Sequence, residues 1–248
     1  MKDQMVFARC EMKYLISKRD HDRLKELMKE YMIPDEYGKS TIQSLYFDTP
    51  DDLLVRRSIE GPLYKEKIRL RSYGIAKSDS PVYMEIKKKS EGIVYKRRFE
   101  LKEKEAERYI RERTRDIKLI EKENKNKSQI EKEMDFAFFR YKGLKPKVLL
   151  SYEREAFYGK GDPDFRITFD SNILYRQVDL DLKSGIYGDK LLGEGEVLME
   201  IKAGAYLPMW LVRFLSANKI YKTSFSKYGS AYRMITKEFT NGGKRHYA

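Results

Sequence analysis

Cysteine is almost missing from this chain. Cys10 is the only one in 248 residues, which excludes an internal disulfide and a cysteine-based zinc site and suits a reducing compartment. Histidine is nearly as scarce: His21 and His246 are the only two, too few for a histidine-rich metal centre. No apolar run approaches the roughly 20 residues that span a bilayer, and the opening MKDQMVFARCEMKY lacks the h-region of a signal peptide. A soluble, cytoplasmic protein is expected. No repeat with a period of roughly 20 to 50 residues points to a solenoid. Acidic residues are also the minority, 39 against 52 Lys and Arg, for a net charge of +13. An excess of that size favours polyanions as partners: nucleic acid, polyphosphate, nucleotides or an anionic membrane surface.

What is present is a globular composition, 41% hydrophobic and 13% aromatic with 19 Tyr, in a chain long enough to bury a core. One domain over residues 1–240 is expected, with 241–248 as a frayed tail.

Alternation predicts eight strands. In the first, 5–15, Phe7, Arg9, Glu11 and Lys13 share one side, and Val6, Ala8, Cys10, Met12 and Tyr14 the other. Cys10 is read as a small apolar residue packed inside. Ser17 stands as N-cap ahead of DHDRLKELMKEYM, where Leu24, Leu27, Met28 and Tyr31 have helical spacing; His21 is placed on the solvated side. TIQSLYFDT (41–49) is a strand ended by Pro50, and DDLLVRRSIEG is a short helix or turn. YKEKIRLRSYG (64–74), VYMEIKKK (82–89) and GIVYKRRFEL (92–101) follow as strands, the last two joined by a tight hairpin. From about 102 to 141 the pattern is helical, with LIEKENKNKSQIEKEM as a solvated turn between two helices. KPKVLLSYEREAFYG (145–159), FRITFD (165–170) and GEVLMEIKAG (195–204) return to strand. Pro208 opens a helix through Leu215, and Ser226 caps a last one to about Lys237. Helices inserted between antiparallel strands, without βαβ alternation, give an α+β fold.

Sorted by parity, each strand has one apolar face and one crowded with charge. The charged sets are Arg9, Glu11 and Lys13; Lys65, Lys67, Arg69 and Arg71; Glu85, Lys87 and Lys89; Lys96, Arg98 and Glu100; Tyr152 and Arg154; Arg166, Thr168 and Asp170; Glu196, Glu200 and Lys202. On any single strand this is an ordinary wet face. Over seven strands it is not, because cations opposite cations destabilise a sheet and call for an anion. A sheet curled toward closure, helices outside and charged faces inside, meets that need, and about eight strands leave room for a slim ligand. Arg suits bidentate phosphate contacts and Lys acts as a point charge. Glu11, Glu85 and Glu200 lie on the same faces, either as ligands for Mg²⁺ or Mn²⁺ or as internal ion-pair partners; spacing alone does not separate the two.

Eight stretches, in order, then become familiar: RCEMKY (9–14), SLYFDT (44–49), YKEKIRLRSYG (64–74), MEIKKK (84–89), VYKRRF (94–99), SYEREAF (151–157), LMEIK (198–202) and FSKY (225–228). Together they resemble the VTC domain, the polyphosphate polymerase branch of the CYTH or triphosphate tunnel metalloenzyme superfamily. The resemblance implies an eight-stranded antiparallel tunnel barrel with helices packed outside. It also implies a metal-assisted phosphotransferase that moves the terminal phosphate of a nucleoside triphosphate such as ATP onto a growing polyphosphate chain. Carried over by motif, the catalytic positions are Arg69, Arg71, Lys87, Arg154, Arg166 and Lys202. Lys13, Tyr152, Ser226 and Lys227 join them in binding substrate, with Arg57 of the Arg56-Arg57 pair. Lys67, Lys89, Lys96 and Arg98, from the charged faces, complete that set. Glu200 is the leading ligand for Mn²⁺ or Mg²⁺, with Glu11 and Glu85. Two positions depart from the pattern. The wider superfamily opens with Glu-x-Glu-x-Lys, where this chain has Arg9, which suits the polymerase branch. Ser224 stands where polymerases of the family can carry a basic residue two before the Ser-Lys pair.

The leading expectation is therefore a polyphosphate polymerase. The alternatives are an inorganic triphosphatase on the same fold and a polyphosphate sensor without turnover. Nucleic-acid binding ranks last, since single-strand binders need exposed stacking rings and Tyr46, Phe47, Phe136, Phe138, Phe139 and Trp210 are read as core. The expected partners are a nucleoside triphosphate and polyphosphate, with docking to a membrane partner also open.

Overall fold

The computed structural model describes residues 10–91, 93–115, 127–204 and 206–242. The start of the first expected strand with Phe7 and Arg9, the first half of the charged turn between the helices, and His246 lie outside the described residues; the second half of that stretch is not a turn, since Ser128 caps a helix that begins at Gln129 by accepting the Glu131 N–H. In chain order the elements are β1 (Cys10–Ser17), α1 (Lys18–Tyr31), β2 (Met32–Pro34), β3 (Ser40–Asp48), α2 (Leu53–Glu60), β4 (Tyr64–Tyr73), β5 (Pro81–Ser90), β6 (Ile93–Lys102) and α3 (Glu103–Arg115). They continue as α4 (Gln129–Arg140), β7 (Lys145–Gly159), β8 (Arg166–Arg176), β9 (Asp189–Lys190), β10 (Glu196–Ala203), α5 (Met209–Ala217), β11 (Lys222–Thr223) and α6 (Lys227–Gly242).

The fold is α+β, a large antiparallel sheet with helices. The eight long strands stand where alternation places them; β2, β9 and β11 are too short to show a period. Strand order is β11-β1-β10-β8-β7-β3-β4-β5-β6, with β2 on β7 and β9 on β8. Among the described residues this order has two ends, so the expected ring is not closed by backbone hydrogen bonds. β6, at one end, carries Lys96, Arg97 and Arg98 in an exposed run, cations of the kind that keep an edge strand from pairing.

The chain divides into two compact units. The first comprises the described parts of Met1–Thr41, Tyr152–Ile173 and Leu192–Phe225. In it β10 lies between β1 and β8 in antiparallel register, Met12 opposite Ile201 and Ile201 opposite Ile167. Those residues share a face with Tyr14, Met199 and Phe169, and α1 and α5 add Leu24, Met28, Leu211 and Leu215 to the core. Ser17 caps α1 by accepting the Asp20 N–H at 3.1 Å. Two expectations fail in this unit. His21 is buried, not solvated: it falls on the helical stripe of Leu24 and Met28, with its ring edge-on to Phe169 at 4.7 Å. Burial lowers its pKa against the hydrogen bond to Asp22. Cys10 is exposed, not packed, because it begins β1 beyond the residues that reach the core.

The second unit comprises Ile42–Ser151, Leu174–Leu191 and the described part of Ser226–Ala248. Strands β3 to β6 form an antiparallel meander. Phe47, Ile68, Leu70, Met84 and Ile86 pack on one side against Tyr109 of α3 and Met134, Ala137 and Phe138 of α4. The burial stripe of α4 corrects a further expectation. Phe138 is core, but Phe136 and Phe139 are 58% and 49% exposed, since they lie on the arc opposite Met134, Ala137 and Phe138. Asp48 ends β3 and starts α2: one oxygen accepts the Leu54 N–H at 2.8 Å and the other the Val55 N–H at 2.9 Å. The Tyr228 hydroxyl donates to the same carboxylate at 2.9 Å.

Candidate functional site

The polar face of the second unit's meander is ordered in rows across β4, β5 and β6. They read Lys65-Lys89-Val94, Lys67-Lys87-Lys96, Arg69-Glu85-Arg98 and Arg71-Tyr83-Glu100. Three lysines thus stand abreast in one row, the arrangement that directly opposed like charges make unfavourable. Their surroundings show the strain electrostatically. The Lys65 ammonium is lowered by burial and by Lys89 and Lys87. Lys96 is lowered to about 8 by burial, against the pull of Glu85, with Arg71 and Arg69 adding to the fall.

Glu85 is the one anion set deep among these cations, 1% exposed. Its Oε2 takes Arg69 Nε at 2.7 Å and Nη2 at 2.6 Å. Its Oε1 faces Lys96 Nζ at 3.2 Å and Arg71 Nη1 at 3.9 Å. Burial would raise this carboxyl, but Arg69, Arg71 and Lys96 outweigh it and hold it at about 2. Arg69 also donates from Nη1 to the Tyr46 hydroxyl at 3.0 Å, and Tyr46 stacks on Tyr228 at 4.7 Å. Arg71 is 6% exposed, and its Nε is buried with no hydrogen-bond partner. Lys67 donates to Ser226 Oγ at 2.9 Å, the oxygen that also receives the Gly229 N–H at the start of α6. Lys227 follows as the first residue of that helix. Arg98 lies over the Tyr83 ring at 4.7 Å, and Lys89 is exposed. Of the Arg56-Arg57 pair, Arg56 turns to Asp51 at 2.7 Å; Arg57 is half-buried on α2.

The first unit gathers the other expected residues. Its rows mix the two signs, Glu11-Lys202-Arg166 beside Lys13-Glu200-Thr168 across β1, β10 and β8, with Lys202 directly opposite Arg166. Lys13 Nζ lies 3.5 Å from Glu11 and 3.5 Å from Glu200, and donates to the Phe225 carbonyl at 3.1 Å. Arg154 grips Asp170 with two parallel bonds, Nε to Oδ1 at 2.6 Å and Nη2 to Oδ2 at 2.7 Å. Its Nη2 is also 3.7 Å from Glu200, and its guanidinium lies 5.3 Å from the Tyr152 ring centre. Burial works against its charge, but Tyr152, Asp170 and Glu200 raise its pKa well above the ordinary value. Arg166 sits over the Tyr158 ring at 4.8 Å, with Nη2 3.8 Å from Asp35. Like Arg71, it has a buried Nε without a hydrogen-bond partner. The Lys202 ammonium is lowered by burial; Glu11 and Glu200 oppose the fall, and Arg154 and Arg166 add to it.

Each unit therefore collects its share of the expected residues on one sheet face. Sequence reasoning missed the Tyr46 hydroxyl, read only as core, and the part played by Asp170, noted only as a face residue. Parity shows which side a residue takes, not which carboxylate closes on which arginine. Among the described residues no three His, Cys, Asp or Glu side chains come together to hold a metal ion. Nor is any described helix long and apolar enough to cross a membrane.

Comparison with known proteins places this geometry. In fold the chain is similar to a putative adenylate cyclase from Bacillus halodurans, at 15% identity and a TM-score of 0.52, covering 87% of this chain and 92% of that one. It is equally similar to a putative adenylyl cyclase from Hippeastrum described as having a dominant triphosphatase activity, at 15% identity and TM-score 0.52 over 88% and 92% of the two chains. In sequence it is 30% identical to vacuolar transporter chaperone complex subunit 4 of Trypanosoma cruzi, over 68% of this chain and 25% of that protein. The chain thus spans about a quarter of the curated relative's length. The VTC domain family model matches residues 8–236, and the chain belongs to that family.

Proposed function

We propose that this chain is a polyphosphate polymerase, transferring the terminal phosphate of a nucleoside triphosphate, ATP foremost, to the end of an inorganic polyphosphate. The observation that carries the reading is the cationic sheet face of each unit, above all the abreast lysines Lys67, Lys87 and Lys96 beside Arg69 and Arg71. A protein gains nothing by stacking like charges unless an anion of matching charge density comes to them. Phosphoryl transfer needs positioned positive charge more than covalent help from the protein. An oxygen of the acceptor's terminal phosphate bonds to the γ-phosphorus, the bond from that phosphorus to the β–γ bridging oxygen breaks, and a nucleoside diphosphate leaves. The acceptor is already an oxyanion, so no general base is required.

A divalent ion would supply Lewis-acid neutralisation of the phosphate oxygens. Glu11 and Glu200 fit it: both come to the same Lys13 ammonium at 3.5 Å, and Mg²⁺ is commonly held by one or two carboxylates plus substrate phosphates. A triphosphatase is the second reading, since the Hippeastrum neighbour is described with that activity. One assay separates them: incubation with ATP and Mn²⁺, products resolved on a polyphosphate gel. Long chains are expected; free phosphate alone would favour hydrolysis. Tight polyphosphate binding with neither product would favour a sensor.

A further inference from the structure

The polar face of the second unit is charged along most of its length and turns aromatic and apolar at one end. On β4 the residues of that face run Lys65, Lys67, Arg69, Arg71 and then Tyr73; on β5 they run Lys89, Lys87, Glu85 and then Tyr83. Tyr83 stands opposite Arg71, and Ile42 of β3 opposite Tyr73. None of Ile42, Tyr73 and Tyr83 is part of the core packed on the other face. The two rings meet edge to face, with centroids 5.9 Å apart and planes at 77°, but they are not alike. Tyr83 is held: Arg98 lies over its ring at 4.7 Å, and Glu100 accepts a hydrogen bond from its hydroxyl. Tyr73 is 52% exposed. At the opposite end of the face the last row, Lys65-Lys89-Val94, has no ring, and Tyr46, between the two ends, is buried against Tyr228.

We infer that Tyr73, with Tyr83 as a fixed wall beside it, is a stacking platform for the purine base of the nucleoside triphosphate, adjoining the Arg71 end of the cationic face. The inference rests on the phosphoryl-transfer reading and adds to it the place of the nucleoside. A half-open ring on an otherwise charged face leaves apolar surface in water, and a flat base covers it without any pattern of hydrogen bonds. Successive residues of one strand face are about 6.6 Å apart. Tyr73 is thus one such step beyond Arg71, a gap that a ribose fills between the α-phosphate and the base. A platform of this kind selects by ring area, so purines are favoured over pyrimidines with little distinction between adenine and guanine. Inorganic polyphosphate has no base and gains nothing from it. Tyr73 therefore acts on the phosphate donor and leaves the acceptor alone.

The test uses the full chain, with calorimetric titration of ATP, UTP and tripolyphosphate under one set of conditions beside thermal melting. Tyr73→Ala is expected to weaken ATP about tenfold, within what one base stacked on one ring contributes, and to leave tripolyphosphate affinity and the melting temperature close to wild type, because the ring is half exposed. Tyr73→Phe should restore ATP affinity. Wild type should prefer ATP to UTP, and Tyr73→Ala should lose that preference. A 2-aminopurine nucleoside triphosphate gives an independent readout: its fluorescence should be quenched on binding to wild type and recover in Tyr73→Ala. Equal losses of ATP and tripolyphosphate in Tyr73→Ala, an unchanged ATP affinity, or a bound 2-aminopurine that is not quenched would each overturn the platform and leave the phosphoryl-transfer reading standing. A wild-type chain that binds neither ATP nor tripolyphosphate would defeat that reading, and the platform with it.

Discussion

Tyr46 offers a direct measurement of the charge density on the second unit's polar face. Its hydroxyl is buried, which alone would raise its pKa; Arg69 and Lys67 outweigh that, helped by the Arg69 hydrogen bond and by Arg71, and bring it from 10.0 to about 8. Phenol ionisation in the folded protein should therefore be half complete near pH 8, where an ordinary tyrosine is still protonated. The gap between folded and unfolded values corresponds to about 3 kcal/mol. Its sign follows from the lowered value. The stabilisation is complete above about pH 10, where the unfolded chain also carries phenolate, fades as pH falls through about 8, and is absent at neutrality, where both states keep the proton. The assay is near-ultraviolet tyrosinate absorbance against pH for wild type minus Tyr46→Phe. A single-tyrosine step centred near 8 is expected. In Arg69→Met the step should move upward, because burial persists while the closest cation is gone. Polyphosphate affinity should fall across the same step, since a phenolate beside Arg69 competes with phosphate for it, and the fall should be shallower in Tyr46→Phe. No tyrosine titrating below about pH 9, or a step indifferent to Arg69→Met, would refute the idea that cations are concentrated at this hydroxyl.

The remaining predictions concern what holds the faces in place. Asp135→Asn breaks a buried network in which the carboxylate receives Arg113 at 2.5 Å, the Tyr109 hydroxyl at 2.6 Å and Lys127 at 2.8 Å; about 3 to 5 kcal/mol of stability should be lost, measured by urea unfolding. Asp48→Ala removes acceptors from the α2 amides and from Tyr228, and a loss of about 2 to 4 kcal/mol is expected by the same method. Gly188→Ala puts a methyl 2.4 Å from the Tyr175 carbonyl oxygen at a φ of +144°, so a lowered melting temperature is expected, by about 2 kcal/mol or more of destabilisation.

The fold was legible where period and burial agree. The eight long strands and the Ser17 cap follow from alternation and capping chemistry, because one face of each strand packs on a core and any shift of register by one residue would expose it. Tertiary partners explain the misses. His21 sits on the buried stripe because Phe169 offers its ring an edge-on contact, information that resides 148 positions away in the chain, a separation read from the numbering. Phe136 and Phe139 look like core by residue type, yet α4 turns them outward because Met134, Ala137 and Phe138 already fill its inner stripe. At the candidate site, parity grouped the cations correctly on their faces. It could not reveal that Arg69 and Arg154 are held by buried carboxylates, because that depends on rotamers and not on spacing.

The placement of the carboxylates explains how such faces remain folded before any substrate arrives. In the first unit each of the two rows holds a carboxylate, so Glu11, Glu200 and Asp170 offset Lys13, Lys202 and Arg154 within the sheet itself. In the second unit Glu85 stands among Arg69, Arg71 and Lys96, and the Lys67-Lys87-Lys96 row is left with more positive charge than its neighbours offset. Direct opposition of like charges on adjacent strands opposes folding by a few tenths to about 1 kcal/mol per pair, tolerable in a unit with an extensive core of its own. The same excess makes the second unit the more responsive of the two to an anion. A ligand that binds only the folded state stabilises it in proportion to the logarithm of its concentration over Kd, and relief of the lysine row adds to the affinity that sets that ratio. On the polymerase reading proposed above, charge that weakens the empty sheet would thus give the loaded one its hold on a chain of phosphates.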